Sequence, residues 1–211
     1  MEAVFWIILL NFVIYGAEHL GRVEEIRTLY LIHDRPAWYQ FVTSAFCHYN
    51  WNHLCNNLFF LYIFGKLVEE EVGGFYLWYY YILTAVGSNL VSWSLLPSSG
   101  SSAGASGAVF GLFAISFSVK LALRDTCPDN KEVDWRRFLE VIILGHFVLQ
   151  RMMEALHGSN AMVNANGVID PALVPWVNHI AHLAGAVVGM SLVIIPHDIR
   201  RRLSVNNCLP P

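Results

Sequence analysis

Charge is scarce in this chain. Of 211 residues only 14% are Asp, Glu, Lys or Arg, while 55% are hydrophobic. A soluble domain usually carries about 25% charged residues. One soluble core of this length could not hide so much apolar surface, so a bilayer is the solvent expected for it. The net charge of −3 points to no particular partner, and no basic patch suggests nucleic acid. Cysteine is also sparse: Cys47, Cys55, Cys127 and Cys208 are widely spaced with no CxxC pair. That excludes a disulfide scaffold and a cysteine zinc site, and no metal or cofactor is expected. Cys47 and Cys55 sit in apolar surroundings and read as inert packing residues. No Arg/Ser-rich targeting segment or charged signal start precedes the first apolar run. Either the chain is cut just before its first span, or targeting is encoded within the spans.

What is present is a series of uncharged runs. Ala3 to Ala17 carries no charge; Glu18 to Arg35 is polar by comparison; Pro36 to Gly65 lacks Asp, Glu, Lys and Arg again. The aromatic stretch Pro36-Ala37-Trp38-Tyr39-Gln40-Phe41 suits a membrane interface. From Val72 to Val119 there is no charge at all, and Pro97-Ser98-Ser99-Gly100-Ser101-Ser102 divides that run in two. The spacing predicts six spans at about 3–18, 52–67, 74–96, 105–121, 138–156 and 178–196, in a single all-α membrane domain over 1–211. Six spans put both termini on one side. Lys66, Lys120, Arg124, Lys131, Arg136, Arg137 and Arg200 to Arg202 share that side, against Arg22, Arg27, Arg35 and Arg151 on the other. Both termini are therefore expected in the cytoplasm or its topological equivalent.

Several polar residues lie where lipid would make them costly. Gly104-Ala105-Ser106-Gly107 joins a Ser/Gly loop to the fourth span. Glycines permit a tight turn and close approach of another segment. A helix start offers unpaired N–H groups that can stabilise an oxyanion. Read alone, the stretch is a Ser/Gly loop followed by a tightly packed membrane helix. On the sixth span, Ala181, Gly185 and Gly189 recur every four residues, as Gly107 and Gly111 do on the fourth. Facing stripes of small residues would bring His182 to Ser106, and a neutral imidazole can activate a serine. The sixth span holds no Asp or Glu, so this would be a dyad. His53 and Asn57 share one face of the second span and are suitable oxyanion donors. His48 does not share that face and is expected to order the segment before it. The fifth span carries Glu140, His146, Gln150, Arg151 and Glu154, read as interfacial or internally paired groups. Glu140, His146 and Arg151 are also candidates for shaping a substrate gate.

Three elements in this order, His53-Leu54-Cys55-Asn56-Asn57, Gly104-Ala105-Ser106-Gly107 and Ala181-His182-Leu183-Ala184-Gly185, resemble the rhomboid intramembrane serine proteases. The resemblance spans nearly the whole chain. It implies a six-helix core that cleaves single-pass transmembrane substrates in the bilayer. It implies Ser106 as nucleophile, His182 as base, and Asn57 with His53 at the oxyanion. Gly104, Gly107, Phe110 and Gly185 would support them. Pro36 to Thr43 and Phe59 to Glu71 are most similar to plant plastid members. This implies a chloroplast inner-envelope protein with stromal termini and a transit peptide removed or omitted. Many members carry Trp-Arg where Tyr39-Gln40 stands here, and many bacterial ones have Tyr in place of Phe110, packed on the catalytic histidine. Two other classes remain: a proteolytically silent relative that binds or escorts membrane proteins, and a small transporter. The complete dyad speaks against the first, and the lack of inverted repeats against the second.

Overall fold

The computed structural model describes residues 2–95, 100–124 and 179–193. Contacts divide the chain into two compact units, 1–128 with 180–211, and 129–179. The predicted fifth span, with Glu140, His146 and Arg151, lies outside the described residues. The helices are α1 (Ala3–His19), the short α2 (Gln40–Thr43), α3 (Trp51–Val72), α4 (Gly74–Leu95), α5 (Ser106–Arg124) and α6 (His179–Leu192). Two 3₁₀ turns, Glu24–Leu29 and Ser44–Phe46, flank α2. Strands β1 (Leu31–Ile32) and β2 (Ser101–Ser102) pair antiparallel, Leu31 opposite Ser102 and Ile32 opposite Ser101.

Four predicted spans coincide with helices to within a few residues. The main difference is α3, which continues through the charged run Lys66-Leu67-Val68-Glu69-Glu70-Glu71. It stops at Gly73, whose φ of +90° suits glycine and whose N–H donates to the Glu69 carbonyl at 2.8 Å. The charges have work within the fold. Glu69 accepts from the Ala3 and Val4 N–H groups, satisfying two orphan donors at the positive end of α1. Lys66 pairs with Glu2 and Glu70.

No helix among the described residues is long and apolar enough to cross a membrane. The reasons differ. At about 1.5 Å per residue, the 17 residues of α1 reach only about 25 Å, short of a core about 30 Å thick. Helix α3 has the length but ends in charge, and α4 is diluted by Tyr76, Tyr79, Tyr80, Tyr81 and Asn89. The described helices do not by themselves establish six crossings.

The distribution of polarity nevertheless fits an all-α membrane protein. Exposed positions are apolar: Trp6 and Val13 on α1, Phe59 on α3, Phe75 on α4, Val187 and Met190 on α6. Buried positions include Asn11, Gln40, His48, Thr84, Ser88, Asn89 and Ser92. Thr84 Oγ1 donates to the Tyr80 carbonyl at 2.6 Å and Ser88 Oγ to Ala85 at 2.9 Å. Both hydroxyls are thus satisfied on their own helix, leaving small surfaces for α5. Gly107 lies against Ser88 and Gly111 against Thr84. Helix α5 packs against both α3 and α4, with Leu112 and Ile115 fully buried.

Candidate active site

The loop 100–105 leads into Ser106, the first residue of α5. It is held from several directions. Strand β1 pairs with it, and the His33 N–H donates to the Gly100 carbonyl at 3.0 Å. His33 Nε2 lies 2.7 Å from Ser102 Oγ. The Tyr49 hydroxyl donates to the Ser101 carbonyl at 2.7 Å. The Gly104 N–H donates to the Ser44 carbonyl at 2.9 Å, and the Ala105 N–H to His48 Nε2 at 3.4 Å.

These anchors are themselves fixed. Asn89 on α4 donates to the Phe41 carbonyl at 2.8 Å and Ser44 Oγ at 2.9 Å. The Tyr81 hydroxyl donates to the Ala45 carbonyl at 2.9 Å. Gln40, only 3% exposed, accepts from the Ile32 and Ala37 N–H groups and donates to the Thr28 carbonyl. The Gln40 amide is therefore an internal brace for the segment between β1 and α3. Cys47, predicted as inert, is buried, and burial pushes its thiol up to about 12.

His48 is completely buried. Burial first, then the neighbouring His53, push its pKa down to about 3, against a smaller opposing contact from the Phe46 backbone. A neutral ring is what the geometry needs, because Nε2 must accept from Ala105. The expectation that His48 orders the segment before α3 was too narrow: it also holds the residue next to Ser106. Sequence spacing gave no sign of the link, since 57 positions separate the two.

His53 and Asn57 lie one turn apart on α3 and meet the loop at Gly104. Asn50 caps the helix by accepting from the His53 N–H at 2.9 Å. Gly104 has φ +136°, and a Cβ there would stand 2.7 Å from His53 Cε1, 2.9 Å from its Nε2 and 3.8 Å from Asn57 Nδ2. Both backbone shape and space exclude a side chain at 104. Asn57 is buried, and its Nδ2 donates to the His53 carbonyl at 3.0 Å.

On the other flank, Gly185 of α6 lies directly against the Gly107 carbonyl, and Gly189 against that of Gly111. The two stripes of small residues face each other as their spacing predicted. The close approach carries His182 onto Phe110, with ring centroids 4.5 Å apart and planes 7° from parallel. Phe110 is one helical turn beyond Ser106, on the same face. Ser106 and His182 are each partly accessible. The loop before Ser106 thus meets His53 and Asn57 at Gly104, and the His182 ring lies on Phe110 one turn into the helix that Ser106 begins. Among the described residues no cluster of His, Cys, Asp and Glu could hold a metal ion.

The rhomboid domain family profile matches residues 35–198. The chain belongs to the rhomboid family. Rhomboid-like protein 11, chloroplastic, of Arabidopsis thaliana is 56% identical over 192 residues, covering 91% of this chain and 64% of that protein. Rhomboid protease AarA of Providencia stuartii is 27% identical over 211 residues, covering 90% of this chain and 65% of that protein. RHOMBOID-like protein 6, mitochondrial, of Arabidopsis thaliana is 26% identical over 165 residues, covering 78% of this chain and 45% of that protein. The chain spans less than two thirds of the length of each of these relatives. In this rhomboid the matched stretch includes the interfacial segment, α3, the Ser106 loop and α6.

Proposed function

We propose that this rhomboid is an intramembrane serine endopeptidase acting on single-pass transmembrane substrates. The observation that carries the reading is the stacking of His182 on Phe110, one turn from Ser106, with Gly185 seated on Gly107. In this scheme Ser106 Oγ attacks the scissile carbonyl while His182 takes its proton and later returns it to the leaving amine. The Ser106 N–H, His53 and Asn57 hold the oxyanion. The polar loop 100–105 and the polar groups of α3 admit the water that hydrolyses the acyl-enzyme. Similarity to a protein named as a protease and to another named chloroplastic supports proteolysis in a plastid membrane. We place it in the inner envelope, as the resemblance to plant plastid members implies, with stromal termini on the basis of the Lys/Arg asymmetry.

The test is cleavage of a single-pass reporter in vesicles by the purified protein. The wild type is expected to cleave it, and Ser106→Ala and His182→Ala to lose cleavage with unchanged thermal stability. Cleavage retained in Ser106→Ala overturns the assignment. A folded wild type that binds transmembrane helices without cutting them is instead the silent escort protein.

A further inference from the structure

Tyr49 precedes α3 and touches both halves of the candidate site. Its hydroxyl donates to the Ser101 carbonyl at 2.7 Å. Its ring stacks on His53, with centroids 6.0 Å apart and planes 13° from parallel. One side chain thus contacts the loop that delivers Ser106 and the imidazole proposed to hold the oxyanion.

Tyr49 is in turn fixed from behind. Tyr30 meets its ring edge-on, with centroids 5.3 Å apart. The Tyr30 hydroxyl is anchored on both Glu18 carboxylate oxygens at 3.0 Å. At the end of α1, His19 stacks on Tyr15 and its Nε2 lies 3.3 Å from the Tyr49 carbonyl. Glu18 is nearly buried and Arg27 lies 3.5 Å from it. Tyr49 thus links the end of α1 to the Ser101 carbonyl and to the His53 ring. Burial raises the Tyr49 pKa, so the phenol stays protonated and remains a donor at neutral pH.

The geometry points to Tyr49 as a positioning residue that sets the distance between the His53 imidazole and the Ser106 loop. This rests on the proteolytic reading above. The substrate need not touch it. Its effect belongs to the chemical step, because an oxyanion donor and a nucleophile misplaced by a fraction of an ångström lose transition-state stabilisation rather than binding.

The experiment measures phosphonylation of the purified full chain in detergent by a fluorophosphonate. Maximal rate and half-saturating concentration are determined for wild type, Tyr49→Phe, Tyr49→Leu and Thr43→Val. Thr43→Val removes a hydroxyl that donates to the Leu29 carbonyl at 2.8 Å and the Tyr39 carbonyl at 3.2 Å, neither of which belongs to residues 100–105. Tyr49→Phe keeps the ring and loses the hydroxyl, so its maximal rate is expected to fall about three- to tenfold, the worth of one hydrogen bond. Tyr49→Leu loses the stack as well and is expected to fall about tenfold further. The half-saturating concentration stays within about twofold throughout, and Thr43→Val keeps the wild-type rate whatever its melting temperature. A Tyr49→Phe rate equal to wild type overturns the proposal. So does a change confined to half-saturation, or a rate in all variants that merely follows melting temperature. A wild type that does not react overturns the proteolytic reading itself, and this one with it.

Discussion

Phe110 and His182 stack face to face, 4.5 Å between centroids, and so tie the imidazole of α6 to the helix that begins with Ser106. A flat aromatic surface fixes the plane of the imidazole without competing for its nitrogens. The ring alone serves this purpose, so the hydroxyl that many relatives carry at this position is not needed for stacking. Phe110→Tyr is expected to keep the fluorophosphonate labelling rate within about twofold. Phe110→Ala is expected to lower it more than about tenfold and to cost about 3 kcal/mol of stability through the cavity. Equal rates for Ala and Tyr would show that the stack does not orient the base.

The contact of Gly185 with Gly107 makes a second prediction. A methyl at 185 would collide with the Gly107 carbonyl, and backbone cannot swing aside as a side chain can. Gly185→Ala is expected to push α6 outward, cost about 1–3 kcal/mol and lower labelling more than about tenfold. Gly16 in α1 has nothing within 4 Å of such a methyl. Gly16→Ala is expected to be neutral or to stabilise by about 0.5–1 kcal/mol, as for alanine in any open helix. Thermal melts in detergent check both.

His48 gives the protein an acid sensitivity. Its folded pKa is pushed down to about 3 by burial and by His53. In the unfolded chain it lies near about 6.5. The unfolded state therefore binds the proton first, and stability rises with pH across this window. It is complete above about 6.5 and falls on acidification by up to about 1.4 kcal/mol per pH unit from this group. His33, lowered by burial, acts in the same direction. Protonation also removes the acceptor for the Ala105 N–H, so labelling should fall along with stability. His48→Gln keeps an acceptor without the titration and is expected to flatten the decline in melting temperature between pH 7.5 and 5. An identical slope in the variant would contradict this account.

How much of this was legible in the sequence depends on the range of the interaction. The helices followed from uncharged runs, and the shared face of His53 and Asn57 from their spacing of four. The face-to-face glycine stripes followed too, because Gly185 and Gly107 each sit in a four-residue repeat. The predicted span 52–67 stops at the charged run, while the helix itself runs on to Val72 and ends at Gly73. The braces of the loop were not legible. His48, Tyr49 and Asn89 act across long separations on backbone groups, Gln40 across no more than 12 positions, and a bond to a backbone carbonyl or N–H leaves no pattern in the partner's sequence. Glu18 was similar: it closes the predicted first span, 3–18, but its anchoring of Tyr30 left no sign in the sequence.

The most direct test of the central claim is mass spectrometry of the purified protein after reaction with a fluorophosphonate. A single adduct is expected on Ser106, absent in Ser106→Ala and in His182→Ala although both remain folded. An unreactive wild type, or an adduct that persists on another serine in Ser106→Ala, would contradict it.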